Sequence, residues 1–162
     1  MRTVVLDALV LGVAPAEVFA GVTRFERYAE LAPHVQSTQV HQGPPEPTGR
    51  SSWELHFRSG LLNWTEVERF LPEQLIIEFE QVNGDFDEFS GRWTLRETPE
   101  GTEVHFEAGF DFGIPSLEGI LDPIAERVIR ETVAWALVGL FRTVRLNEES
   151  IYDSALIVAQ SG

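Results

Sequence analysis

The sequence predicts an α+β domain in which a seven-stranded antiparallel sheet has one face covered by a long C-terminal helix. Three observations carry this. From Pro33 to about residue 112, short segments of alternating polarity are separated by turn residues. From about Leu117 to Leu146 the periodicity is helical instead. The chain has 162 residues, 43% of them hydrophobic, which suffices for one domain with a real core and is too short for two.

Each element follows from its local pattern. Thr3 to Val13 is apolar and β-branched on both alternating sets, as in a strand covered on both sides. "APAEVFAGVTRFERYAELAPHV" places Pro15 and Glu17 at a helix start, with Gly21 and Pro33 as breaks, and so predicts two short helices in sequence. Turn residues at 43–49, Ser59-Gly60, 71–74, Asn83-Gly84 and 98–101 then bound six strands. In "SSWELHF" and "VHFEAGFDF" the apolar residues alternate strictly, so the sheet has one apolar and one wet face. Asp122 and Pro123 suit a cap and first residue of the last helix. The domain is expected to span residues 1–148, with 149–162 as a loosely held tail.

Composition removes several function classes. The net charge is −14, and all 12 bases are arginine, a balance that opposes binding to nucleic acid. With no cysteine, disulfides, thiolate ligands and cysteine nucleophiles are excluded. The longest apolar run, around Val133 to Phe141, falls short of the ~18 residues a membrane span needs. Asp7 interrupts what would be the apolar segment of a signal peptide, so a cytoplasmic protein is expected. His34, His41, His56 and His105 are scattered, and no metal-ligand, phosphate-loop or nucleophile-elbow motif occurs, so no cofactor is expected.

The helix and sheet pose a packing question. Along one helix face Ala125 and Val128 are followed at helical spacing by Thr132, Ala136, Gly139 and Thr143, all small. The sheet presents Trp53, Phe57, Trp64, Phe89, Trp93, Phe106 and Phe110. Large groups facing small ones either enclose an aromatic hollow or interdigitate in close packing. "LLNWTEVERF" sharpens the question, because Glu66 and Glu68 share a face with Leu62, Trp64 and Phe70. A regular strand sends both carboxyls into apolar surroundings, where desolvation raises their pKa values. A β-bulge near Thr65 or Glu66 instead turns Val67 inward and both glutamates to water.

The segments "APAEVFAGVTRFERYAELAPHV", "NGDFDEFSGRWTL" and "GTEVHFEAGFDFGIP", followed by the long helix, resemble the START-like helix-grip superfamily (SRPBCC). Within it the likeness is to the polyketide cyclase/dehydrase and coenzyme Q-binding branch, over about residues 3–146. The resemblance implies a sheet wrapped around the C-terminal helix, with a deep internal pocket for hydrophobic ligands. It further implies assistance to cyclisation and dehydration of a polyketide-type molecule, with an acyl carrier protein as one partner, or non-catalytic carriage of a quinone or natural product. A homodimer is the assembly the reading leaves room for.

Phe89 and Trp93 match the family's pocket-wall positions, and Trp64 joins them. Trp53, Phe57, Phe106 and Phe110 extend the expected wall, Val128, Thr132 and Trp135 face it from the helix, and Phe25 and Tyr28 guard the entrance. The family's arginines are missing here: Arg69 has the wrong parity, and Glu80 stands where another is expected. Glu66 and Glu68 are therefore the candidates for general acid/base work.

Overall fold

A computed structural model describes residues 1–147. The expected tail, 149–162, lies outside the described residues. The order is β1 (Arg2–Leu11), α1 (Pro15–Val22), a 3₁₀ turn (Phe25–Arg27), α2 (Tyr28–Leu31), β2 (Val35–Gln42), β3 (Thr48–Phe57), β4 (Gly60–Leu71), β5 (Ile76–Gly84), β6 (Glu88–Thr98), β7 (Gly101–Asp111), a second 3₁₀ turn (Pro115–Leu117), α3 (Glu118–Leu140) and β8 (Val144–Leu146). The strands form one antiparallel sheet in the order β2-β3-β4-β5-β6-β7-β1-β8. Seven of these strands are the expected ones, and the eighth is new.

β8 replaces the end of the expected helix. α3 stops at Leu140, Phe141 is extended, and Val144 and Leu146 pair with Val10 and Ala8. Without β8, β1 would leave a row of unpaired backbone groups at the sheet edge. The helix also starts earlier than Asp122: the 3₁₀ turn at Pro115–Leu117 leads into it, so Asp122 and Pro123 lie inside its first turns. Pro123 is the sixth residue of α3, so the helix forgoes the bond that an N–H there would make to the Gly119 carbonyl.

Ala125, Val128, Ile129, Thr132, Val133, Ala136 and Leu137 are buried, a stripe at helical spacing that lies over the sheet's apolar face. Ala125, Thr132 and Ala136 from the small-residue stripe lie in this contact. Gly139 is at the helix–helix contact instead, where a Cβ would come 2.6 Å from Leu31 Cδ2. Thr143 lies beyond the helix end and is exposed.

Candidate functional site

β4 does not bulge. Its pairing with β3 runs unbroken from Thr48–Arg69 to Phe57–Gly60, and Leu62, Trp64, Glu66, Glu68 and Phe70 are all buried. The irregularity lies in the facing strand, where Thr65 pairs with Asn83 and Glu66 with Gln81. Val82 of β5 is the extra residue, half exposed to solvent. Asn83-Gly84 is consequently still strand, and the expected turn falls just after it. Gly84 is needed there, because a Cβ would come 2.5 Å from Trp64 Cβ.

Both glutamates therefore point inward, with Glu66 5% and Glu68 2% exposed. Each has a defined partner. Trp64 Nε1 donates to Glu66 Oε1 at 2.8 Å, and Ser51 Oγ donates to Glu68 Oε2 at 2.6 Å. Ser51 in turn accepts from Trp53 Nε1 at 2.8 Å. Trp53 and Trp64 are cross-strand partners with ring centroids 5.9 Å apart and nearly parallel planes. Two stacked indoles thus aim their N–H groups at a serine and a glutamate two residues along their strands, which the period-two geometry of the sheet permits.

The two carboxyls lie two residues apart on one buried face of β4 and bear on each other's protonation. Burial raises the pKa of Glu66 well above the carboxylate range, the hydrogen bond to Glu68 and its charge add to this, and the Trp64 N–H opposes it. Burial also raises Glu68, offset by the bonds from Glu66 and Ser51 and by the charge of His41. Glu66 is thus the group that keeps a proton. Glu68 Oε1 is buried and no donor among the described residues reaches it. Burial and the nearby Glu66 likewise raise the Tyr28 phenol, whose hydroxyl donates to Val22 O at 2.7 Å.

Glu66 lies on the wall of an internal hollow of about 50 Å³. Its other walls are Phe25 and Tyr28 from the helical segment, Trp53, Leu55, Trp64, Phe79, Phe89, Trp93 and Phe106 from the sheet, and Ile129, Thr132 and Val133 from α3. Ligand pockets usually measure ~300–1,000 Å³. A water needs ~10–15 Å³, so the space admits roughly three to five groups of that size. The rings mostly interdigitate with the small helix residues and leave a remnant beside Glu66.

Of the residues the sequence proposes for the wall, the structure gathers Trp53, Trp64, Phe89, Trp93, Phe106, Thr132, Phe25 and Tyr28 here. Phe57 packs on Phe112 instead, and Phe110 lies among Phe86 and Phe112. Val128 is buried outside the hollow and Trp135 is half-buried. Arg69 points outward to Glu78 at 3.5 Å, Glu80 is exposed, and among the described residues no arginine lines the hollow. Phe79 was legible but not singled out: it alternates with Ile77 in "IIEFEQ". Ser51 carries no such signal, since its partner lies 17 residues away.

The described residues contain no group of three metal-ligating side chains, and no helix among them is long and apolar enough to cross a membrane. His34 bonds Glu131 at 2.8 Å, His41 bonds Ser52 at 2.8 Å, His105 bonds Asp7 at 2.6 Å, and His56 is exposed.

Known proteins share this architecture. The Thermus thermophilus protein TTHA0849 superposes with a TM-score of 0.72 at 22% identity, covering 97% of this chain and 99% of that one. The Zhui aromatase/cyclase from Streptomyces sp. R1128 gives 0.67 at 13% identity, covering 85% and 93%. A START superfamily protein from Mycobacterium smegmatis gives 0.65 at 15% identity, covering 85% and 94%. At these identities the likeness shows the fold, which is the helix-grip arrangement. A search of curated proteins finds no match to the sequence. The sequence profile of a family described as polyketide cyclase / dehydrase and lipid transport matches residues 11–136, and with most of the chain so matched, the protein belongs to that family.

Proposed function

We propose that this protein binds a hydrophobic, polyketide-type molecule in the space between sheet and α3 and assists its cyclisation or dehydration. The observation that carries the reading is the Glu66 carboxyl, buried on an aromatic wall two residues from a second buried carboxyl, where desolvation favours its protonated form. An acid kept protonated in an apolar site can protonate a leaving hydroxyl or a developing alkoxide, and its deprotonated form can take an acidic C–H proton between two carbonyls. The stacked indoles and surrounding phenyl rings supply flat apolar surfaces for a planar ligand. A polyketide chain exceeds the remnant hollow, so binding requires the surrounding rings to move apart.

The test uses a poly-β-keto thioester and a non-reacting aromatic analogue. Glu66→Gln is expected to abolish turnover while the analogue still binds. Unchanged turnover in both Glu66→Gln and Glu68→Gln would sink the catalytic reading. Non-catalytic carriage of an apolar molecule is the second reading, favoured by the lack of arginine on the wall. It predicts thermal stabilisation by the analogue and no product from the thioester.

A further inference from the structure

Most hydrogen-bond donors on the wall of the hollow are already used. Two of its three indoles are committed: Trp53 Nε1–H donates to Ser51 Oγ and Trp64 Nε1–H to Glu66 Oε1, each at 2.8 Å. The two hydroxyls on the wall are committed as well, Tyr28 to the Val22 carbonyl and Thr132 to the Val128 carbonyl, both at 2.7 Å.

Trp93 is the exception. It lines the hollow and is 4% exposed, yet no described residue accepts a hydrogen bond from its Nε1–H. Phe106 meets its ring edge to face, with centroids 5.0 Å apart, and a ring is at best a weak acceptor. Buried indole N–H groups usually find a partner, so one left over on a cavity wall calls for an acceptor from outside the chain. The nitrogen is not sealed in, unlike Glu68 Oε1 and Asp122 Oδ1, which are unbonded and wholly enclosed.

Trp93 stands on β6 and Glu66 on β4, with β5 and its Phe79 between them. The two groups therefore mark separate places on a wall that no cationic side chain lines. A carboxylate or phosphate entering this space would leave its charge unpaired, whereas a carbonyl oxygen is satisfied by one donor.

We propose that the Trp93 N–H is the donor by which the hollow recognises its ligand: a flat, uncharged molecule that places a carbonyl oxygen against Trp93 Nε1. The inference rests on the reading that a hydrophobic molecule enters the space between sheet and α3. It narrows that molecule to neutral carbonyl compounds and sets aside fatty acids and other free acids.

Acetophenone and α-methylstyrene are the probes, because they share one shape and differ in a carbonyl oxygen against a methylene. Titration calorimetry gives the ratio of their affinities. Trp93→Phe is expected to lower the ketone-to-alkene ratio about tenfold, the factor carried by a lost hydrogen bond to a buried donor. The ratio cancels the effect of the smaller ring, which bears on both probes alike. In the wild type, the indole proton resonance that Trp93→Phe removes is expected to move downfield with the ketone and not with the alkene. The chain has 4 tryptophans, so if Trp93→Phe does not fold, Trp53→Phe, Trp64→Phe and Trp135→Phe identify that resonance by elimination and it serves alone. An unaltered ratio, or a resonance that responds alike to both probes, overturns the donor and leaves the binding reading standing. Binding of neither probe, to the wild type or to Phe79→Ala, overturns both.

Discussion

Replacing Glu66 with glutamine should change how stability depends on pH, and by an amount the structure fixes. In the unfolded chain both carboxyls titrate near the ordinary value of 4.5. In the folded chain burial and the adjacent Glu68 raise Glu66, so above 4.5 the folded state keeps a proton that the unfolded state has released. Stability from this group is complete below the unfolded pKa and is lost as pH rises toward the folded one. One retained proton corresponds to a slope of about 1.4 kcal/mol per pH unit. The glutamine of the variant has no such proton, yet its amide can still donate to Glu68 and accept from Trp64.

The difference in unfolding free energy, wild type minus Glu66→Gln, should therefore stay flat below 4.5. Above it, the difference should move in favour of the variant by about 1.4 kcal/mol per pH unit until the folded-state pKa is passed. Tyr28 keeps its proton throughout, and the exposed His41 is common to both proteins, so neither supplies the difference. Urea unfolding followed by the fluorescence of the buried tryptophans, in steps from about pH 5 to about pH 8, measures it. Parallel profiles for the two proteins would refute the assignment of a retained proton to this pair.

Two further outcomes follow from the same geometry. Trp64→Phe removes the N–H that bonds Glu66 at 2.8 Å. It should cost about 1–3 kcal/mol for the unpaired buried oxygen and raise the Glu66 pKa further, read by urea unfolding and by persistence of the infrared carbonyl band of the protonated carboxyl to higher pH. Phe79→Ala removes a ring that meets Phe89 at 5.5 Å and Phe106 at 5.8 Å on the hollow wall. It should cost about 3–5 kcal/mol and open space for a small aromatic such as naphthalene, seen as a larger rise in melting temperature with that probe than the wild type shows.

Alternation and turn residues located seven strands and the covering helix, because strand and helix periods are local properties of the chain. They also placed Glu66 and Glu68 on one face with Trp64. Whether that face was kept depended on where an irregularity would fall, and it fell in β5 at Val82, on the partner strand. β8 was illegible for a related reason: Val144–Leu146 becomes a strand only because β1 offers an open edge.

The hollow was likewise decided in three dimensions. Small residues on α3 and large ones on the sheet are compatible with an open pocket or close packing, and the packing left only about 50 Å³. The bond from Ser51 to Glu68 depends on register between β3 and β4, which sets Ser51 opposite Glu66 and Gly49 opposite Glu68. The sequence by itself thus determined which residues share a face, since a period of two is written into the strand. Tertiary structure decided which of those faces meet, how tightly they pack, and which of two neighbouring inward carboxyls reaches the hollow. Those are set by contacts between segments distant in the chain, which no local pattern records.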